Sequence, residues 1–269
     1  MTPCAAFLDV HQRRLQETRD DADFLDRHEA FLRALAGCEA GYFEPLPPRD
    51  RERRPVFFRA CHLRYLFLRE KSLVRQLQAY GPLPPAADLL QALFGAEASP
   101  RLRALERAAA RCRRIVMVGC GPLPGLLLWL LEQHAHLAGI GLEVRQDALA
   151  LAEGLTTGMH SGRLVLKLAD GAGFDYSGAD LVYVANQVAP KRRILERIAA
   201  TAVTAAVIVR DPIGAGWLVA EPVADRLPTP YALRETGAES RVFLSRDLVL
   251  GCNSKGIAQS SKLPLPNAR

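Results

Sequence analysis

The first 110 residues place apolar side chains at intervals of three and four positions, the spacing of helices with one buried face. This pattern predicts helices over residues 7–35, 56–80, 86–94 and 100–112. Prolines at 45, 47 and 48 end the first segment, and glycine and proline at 81 and 82 end the second. The arginine-rich residues 49–54 fall in the proline-rich stretch and are interpreted as an exposed connection. This part of the chain is therefore predicted to be all-helical.

After residue 110, short β-branched apolar runs alternate with helical segments. Runs of this kind are typical of strands buried on both faces of a parallel sheet. The predicted strands cover residues 115–118, 138–144, 164–169, 180–186 and 203–210, with residues 241–249 as a late antiparallel segment. The alternation predicts an α/β fold with a Rossmann-like, doubly wound sheet, which binds ligands outside the carboxyl ends of its strands. The predicted division is a helical cap over 1–110, a Rossmann-like domain over 111–255 and a flexible tail over 256–269.

A glycine-rich loop, Gly119-Cys120-Gly121-Pro122, follows the first predicted strand directly and leads into an apolar helix. A strand, a glycine turn and a helix in this order direct backbone N–H groups at a nucleotide or a polar cosubstrate. Gly119 permits the tight turn, and Gly121 allows a ligand to approach the backbone. Cys120 is interpreted as a small packing residue, with a reactive thiol as the alternative. The loop residues are assigned to cosubstrate binding.

Two acidic residues at predicted strand ends narrow the choice of ligand. Glu143 lies 24 residues beyond Gly119, where a carboxylate accepts hydrogen bonds from a ribose; a solvated surface glutamate is the alternative. Asp170 follows the third predicted strand and is placed to reach an adenine edge.

The loop lacks the motifs of two other nucleotide-binding classes. A P-loop requires Gly-Lys-Ser/Thr after the glycines, which is missing here, and Pro124 stands where dehydrogenases have a third glycine. S-adenosylmethionine is therefore the predicted cosubstrate, on a class I S-adenosylmethionine-binding sheet.

The segment from Gly119 to Pro124, Gly-Cys-Gly-Pro-Leu-Pro, resembles the Gly-Ser-Gly-Pro-Leu-Pro signature of nicotianamine synthases. The resemblance extends through residues 180–185 and 207–211 and covers roughly residues 110–215. It implies transfer of the 3-amino-3-carboxypropyl group of S-adenosylmethionine to an amine, with release of methylthioadenosine. Short bacterial relatives, which make opine metallophores such as staphylopine and pseudopaline, use histidine as the acceptor. The resemblance therefore implies histidine or a similar amino acid as substrate and an opine dehydrogenase as functional partner.

The helical cap is expected to cover the open end of the sheet and to supply the acceptor pocket. His62, Tyr65 and Arg69 are spaced to share one helix face. In the functional interpretation His62 and Arg69 bind the acceptor, with an arginine for its carboxylate, and Glu70 and Tyr65 are the candidate proton acceptors. The resemblance also implies a glutamate from a helix in this region. A solvated helix face with Tyr65 and Phe67 as core residues is the alternative.

Three residues at the ends of the fourth and fifth predicted strands complete the candidate site. Tyr183 and Asn186 are expected to point towards the reacting end of the cosubstrate, although Tyr183 also suits packing. Asn186 is assigned to the cosubstrate, and Tyr183 and Arg210 are assigned to the acceptor.

Composition favours a globular protein without a nucleic-acid partner. Apolar residues make up 49% and charged residues 24% of the chain, ordinary values for globular proteins. The net charge of +6 comes from arginines interleaved with acids, which usually form solvated faces. The longest apolar stretch, residues 123–131, is too short to span a bilayer, and no signal peptide is recognised. A cytoplasmic protein without a membrane partner is predicted, and a homodimer is left open.

Cysteines and histidines predict neither a disulfide framework nor a metal centre. The six cysteines show no Cys-x-x-Cys spacing, which fits a reducing cytosol. His134 and His136 form a His-x-His pair, but no third ligand lies nearby in sequence. Catalysis is therefore predicted to need no metal.

Three functional classes follow from these observations. Aminocarboxypropyl transfer rests on the family resemblance, and an S-adenosylmethionine-dependent methyltransferase rests on the sheet motifs alone. A non-catalytic S-adenosylmethionine-binding protein is the third, disfavoured by the glycine loop and Glu143. The nucleoside product distinguishes the first two classes, because methyl transfer leaves S-adenosylhomocysteine.

Overall fold

The structure, a computed structural model, describes residues 2–39, 41–81, 83–94, 98–160, 162–240 and 244–252. The flexible tail predicted over 256–269 lies outside these residues. The first five helices are α1 (Pro3–Gln16), α2 (Asp21–Ala36), α3 (Pro48–Tyr80), α4 (Ala86–Phe94) and α5 (Ala98–Ala109). The elements that follow are β1 (Arg114–Val118), α6 (Gly125–Gln133), β2 (Ala138–Glu143), α7 (Gln146–Thr156), β3 (Leu164–Leu168), β4 (Leu181–Val184), α8 (Lys191–Thr201), β5 (Ala206–Pro212), β6 (Tyr231–Thr236) and β7 (Ser245–Cys252). Two short 3₁₀ helices, Gly214–Leu218 and Ala224–Arg226, lie between β5 and β6.

The seven strands form one mixed sheet in the order β3-β2-β1-β4-β5-β7-β6. The first five strands are parallel, whereas β7 runs antiparallel to both β5 and β6. Apolar residues of α5 and α6 pack on one face of the sheet, and those of α8 pack on the other. The predicted α/β class, a Rossmann-like doubly wound sheet preceded by helices, is confirmed.

The amino-terminal helices differ from the prediction at two places. Residues 7–35 were expected to form one helical section, but α1 and α2 are separate because Asp20 starts a new helix. Its carboxylate accepts the N–H of Asp23 at 2.9 Å, which satisfies a free donor of the first turn. Residues 49–54 are mostly exposed, as predicted, but they do not form a connection, because α3 already begins at Pro48. Arg54 donates to Asp9 of α1 at 2.8 Å, and this tertiary contact helps to hold the proline-rich segment helical.

The carboxyl-terminal strands were predicted only in part. The antiparallel strand expected over residues 241–249 corresponds to β7, which pairs with β5 as well as with β6, while residues 241–243 of that prediction lie outside the described part of the chain. The strand β6 was missed, because it lies at the sheet edge and most of its side chains are exposed. An exposed edge strand lacks the apolar run that reveals a buried one.

Helix α3 extends across the carboxyl ends of the parallel strands. Near its start, the guanidinium of Arg59 donates to the carbonyl oxygen of Trp217, just after β5, at 3.0 Å. Further along, Cζ of Arg145, just after β2, lies 4.0 Å from the ring centroid of Phe67. Glu70, one turn beyond Phe67, therefore lies at the edge of the sheet where ligands bind in this class of fold.

Candidate active site

The glycine loop after β1 has a backbone that only glycine adopts readily. Gly119 has φ +78° and Gly121 has φ +68°, both in the left-handed region. The N–H groups of Gly119 and Cys120 donate to the carbonyl oxygen of Leu142 at 2.9 and 3.0 Å. These two hydrogen bonds fasten the loop to the end of β2.

Glu143, the last residue of β2, holds the loop from one side. One carboxylate oxygen accepts the N–H of Gly121 at 3.1 Å, and the other accepts those of Val144 at 2.9 Å and Arg145 at 3.0 Å. The residue is 8% exposed. A carboxylate has about four acceptor positions, so one remains for a further donor. Glu143 thus lies at the strand end and beside the loop, as its spacing predicts.

Glu70 of α3 approaches the same loop at the position where a side chain of residue 121 would lie. A Cβ atom at position 121 would lie 2.7 Å from Oε2 of Glu70, so glycine alone permits this approach. Burial raises the pKa of Glu70 to about 8, an effect that the Leu123 N–H opposes and that the carboxylate of Glu143 reinforces. Two carboxyl groups therefore flank Gly121.

The other candidate residues of α3 lie on a different face. His62 and Tyr65 are buried against α2, where Nδ1 of His62 lies 3.1 Å from Nε2 of His28 and the Tyr65 ring lies 4.8 Å from that of His28. The guanidinium of Arg69 lies 5.9 Å from the Tyr65 ring. The three residues share a face, as predicted, but His62 and Tyr65 pack on α2 and Arg69 is exposed beside Tyr65, while Glu70 turns towards the glycine loop.

The buried histidine pair makes stability depend on pH. Burial lowers the pKa of His28 to about 3 and that of His62 to about 4, so both are neutral in the folded protein. In the unfolded chain they bind protons below about pH 6.5. The free energy of unfolding should therefore fall between pH 6.5 and 4, by up to about 2.7 kcal/mol per pH unit for two protons. Urea unfolding at a series of pH values measures this slope.

The variant His28→Phe tests the origin of that slope, since phenylalanine retains the ring contacts and removes one titrating group. The slope should decrease by about one proton, or about 1.4 kcal/mol per pH unit. Equal slopes in the variant and the wild-type protein would contradict the assignment.

Asn186 and Asp170 lie at the same edge of the sheet as the glycine loop. Oδ1 of Asn186, just beyond β4, is buried and has no hydrogen-bond partner among the described residues. In the same segment, Val188 packs so closely on Gly119 that a Cβ there would lie 2.5 Å from Cγ2 of Val188. Asp170, beyond β3, is exposed, and its carboxylate accepts the N–H of Ala172 at 2.8 Å.

Tyr183 and Arg210 meet in a buried polar cluster with Asp247. Arg210 donates to the hydroxyl of Tyr183 at 3.3 Å, and Nε of Arg210 lies 3.8 Å from Oδ1 of Asp247. Burial raises the pKa values of Tyr183 and Asp247. Strand pairing places Arg210 in the same row as Gly119, two strands away and thus about 10 Å from it. Asp247 was missed because the pairing of β7 with β5 could not be predicted from local sequence.

Cys120 packs inside the loop as a neutral thiol. It is 4% exposed, and burial raises the pKa of its thiol to about 12. A Cβ at Gly141 of β2 would lie 3.1 Å from its sulfur, so Cys120 occupies space that glycine leaves free. The packing interpretation fits this environment.

The described part of the chain contains neither a cluster of metal ligands nor a membrane-spanning helix. Within the described ranges, no group of three or more His, Cys, Asp or Glu residues is arranged to hold a metal ion. The rings of His134 and His136 lie 5.7 Å apart. None of the helices described combines the length and hydrophobicity that crossing a bilayer requires.

The sheet, the glycine loop and the two flanking carboxyl groups define a Rossmann-like protein with a helical cap over its ligand edge. Neither a protein-family model nor a curated protein sequence matches the chain. Its fold is similar to that of MtNAS, a nicotianamine synthase. A glutamate-to-glutamine variant of MtNAS matches with a TM-score of 0.71 and 17% identity, over 92% of this chain and 96% of that one.

Two further MtNAS structures show the same similarity of fold. The same variant in complex with S-adenosylmethionine gives a TM-score of 0.70 at 16% identity, and MtNAS in complex with MTA and tNA gives 0.69 at 17%. Both cover 94% of this chain and 99% of theirs. The shared fold therefore includes the helical part as well as the sheet, and the chain has a nicotianamine synthase-like fold.

Proposed function

We propose that the protein transfers the 3-amino-3-carboxypropyl group of S-adenosylmethionine to the amine of an amino acid, releasing methylthioadenosine. The observation that carries this proposal is the carboxyl group of Glu70, held against Gly121 while Glu143 binds the N–H of the same residue. Histidine is the proposed acceptor, and an opine dehydrogenase would act on the product to complete a nicotianamine-like metallophore. The fold shared with MtNAS, which has been crystallised with S-adenosylmethionine and MTA, supports this choice of cosubstrate.

The loop, Gly119 to Pro122, would hold the cosubstrate. The remaining acceptor position of Glu143 suits a ribose hydroxyl, and Asp170 at the end of β3 suits the adenine edge. The buried Oδ1 of Asn186 suits a donor at the amino-acid end of the cosubstrate, because an unpaired buried acceptor is costly.

The reaction needs a neutral amine as nucleophile, and a thioether is its leaving group. The acceptor nitrogen forms a bond to the aminocarboxypropyl carbon, the carbon–sulfur bond breaks, and its electron pair stays on sulfur. The new ammonium then gives a proton to the ionised form of Glu70, whose pKa of about 8 makes its carboxylate a stronger base than that of an ordinary glutamate. Positioning of the two reactants would supply most of the remaining acceleration.

The acceptor pocket is proposed on the β4 and β5 side of the loop. Arg210 lies there at the carboxyl edge, and its hydrogen bond to Tyr183 orients the guanidinium. A guanidinium binds carboxylates well, which fits an amino acid. His62 and Tyr65 pack on α2 and Arg69 is exposed beside Tyr65, so the cap residue that this mechanism uses is Glu70.

Incubation of the protein with S-adenosylmethionine and histidine tests the proposal. Mass spectrometry of the quenched mixture should show methylthioadenosine and histidine bearing one aminobutyrate unit on its amine. S-adenosylhomocysteine with a methylated acceptor would establish a methyltransferase instead. Tight binding without turnover, across a panel of amino acids, would indicate a binding protein.

Removing Glu143 should weaken nucleoside binding. Glu143→Ala removes an acceptor for the ribose and three hydrogen bonds that hold the loop, so affinity for methylthioadenosine should fall by about 1–3 kcal/mol. Calorimetric titration measures this change. Glu153→Ala on the exposed surface of α7 is the matched control and should bind as the wild-type protein does. Unchanged affinity in a folded Glu143→Ala protein would remove this residue from the site.

A further inference from the structure

The two carboxyl groups at Gly121 lack a paired cation. Among the described residues, neither Glu70 nor Glu143 forms an ion pair within 4.0 Å, although twelve such pairs occur elsewhere. The ionisable groups that face Glu70 are Glu143 from β2, the thiol of Cys120 from the loop and Arg69 from its own helix. Arg69 attracts Glu70 but forms no ion pair with it among the described residues, and ionisation of both carboxyl groups at one glycine would bring like charges together, which is unfavourable.

The surroundings of Glu70 favour its protonated form in the free protein. Glu143 accepts three backbone N–H groups, whereas Glu70 accepts that of Leu123. The carboxyl group of Glu70 is partly buried beside the loop. Burial raises its pKa, and the proximity of Glu143 raises it further. Glu70 is therefore the protonated member at neutral pH.

We infer that Glu70 selects the charge of the ligand: a cationic sulfonium at the glycine loop displaces the proton of Glu70, whereas a neutral thioether does not. This inference rests on the proposed function and specifies how that site distinguishes substrate from product. The sulfonium supplies the positive charge that the carboxyl pair lacks, so the ionised form of Glu70 is stabilised only while it is present.

Charge balance then links binding, transfer and release. Binding of S-adenosylmethionine releases one proton from Glu70 to solvent. Transfer forms the carbon–nitrogen bond and breaks the carbon–sulfur bond, which leaves neutral sulfur, and the new ammonium returns a proton to Glu70. The product complex thus has the same protonation as the free protein. The attraction that held the sulfonium is gone, and methylthioadenosine is free to leave.

Calorimetric titration without an acceptor, at pH 7 in two buffers of different ionisation enthalpy, counts the protons released. S-adenosylmethionine should release close to one proton from the wild-type protein, while S-adenosylhomocysteine and methylthioadenosine should release almost none. S-adenosylhomocysteine is the matched ligand, since it has the same amino-acid group but a neutral sulfur. Glu70→Gln should release none with any ligand and should lose the preference for the sulfonium.

The pH dependence of wild-type affinity provides a second readout that does not depend on the variant. Between pH 6 and 7, affinity for S-adenosylmethionine should rise about tenfold, as expected for release of one proton, and affinity for S-adenosylhomocysteine should stay constant. Binding of S-adenosylmethionine without proton release, or equal release from Glu70→Gln, would overturn the inference and leave the proposed function intact. Failure to bind any of the three nucleosides would overturn both.

Discussion

Replacing Glu70 with glutamine is expected to reduce the transfer rate by about 100-fold to 10,000-fold, the range for loss of a positioned proton acceptor. Glutamine keeps the shape and can still accept the Leu123 N–H, but it cannot take the proton from the new ammonium. Affinity for methylthioadenosine should therefore persist while the rate of its formation falls. This separation distinguishes a catalytic group from a residue that only packs on the loop.

The pH dependence of kcat/KM provides a second test of the role of Glu70. Because burial raises its pKa to about 8, the wild-type protein carries the ionised, active form mainly above that pH, and kcat/KM should rise through it. The Glu70→Gln protein should lack this component and retain only the rise due to the acceptor amine. Glu29→Gln, on α2, is the matched control and should leave both rate and profile unchanged. A Glu70→Gln protein with the wild-type rate would contradict the mechanism.

The part of the site built from local sequence was predictable. The site begins with a buried strand and a glycine turn, and a carboxylate follows at the end of the next strand, all within about 30 residues. Their relative positions are determined by the strand–turn–helix–strand unit that they belong to. Glu143 and the loop consequently meet as their spacing predicts. The same holds for the parallel direction of the first five strands, which follows from alternating helices and strands.

The contribution of the cap could not be predicted in the same way. Helical spacing groups His62, Tyr65 and Arg69 on one face, but it does not show whether that face meets α2 or the sheet. The direction in which α3 crosses the sheet decides this, and it depends on contacts distant in sequence, such as Arg59 with Trp217. Glu70 was a candidate from sequence, and its position at Gly121 became visible only in three dimensions.

The antiparallel pairing of β7 with β5 could not be predicted from the sequence either. The cluster of Tyr183, Arg210 and Asp247 forms because β7 returns beside β5 and places Asp247 opposite Arg210. The predicted segment, residues 241–249, included Asp247, but nothing in it specified the partner strand or the register. Register depends on side-chain packing across the sheet, which a single strand does not contain.

Gly121→Val should abolish nucleoside binding, with an affinity loss of at least about 100-fold, or about 2.7 kcal/mol. A β-branched residue is strained at φ +68°, and its Cβ would lie 2.7 Å from Oε2 of Glu70. Either the loop or the carboxyl group must move, and both belong to the proposed site. Titration with methylthioadenosine measures the loss, and circular dichroism verifies that the variant is folded. Wild-type affinity in the folded variant would show that nucleosides bind elsewhere.

Backbone strain and the clash with Glu70 can be separated by matched variants. Gly162 has φ +77° and no atom within 4 Å of an added Cβ, so Gly162→Ala carries the same backbone strain without the clash. Gly121→Ala should therefore lower methylthioadenosine affinity much more than Gly162→Ala does. In a Glu70→Ala background the clash is absent, and the additional effect of Gly121→Ala should shrink, which a double-mutant cycle measures. If the two substitutions prove additive, Glu70 and Gly121 are not in contact, and the role of Glu70 at the loop must be abandoned.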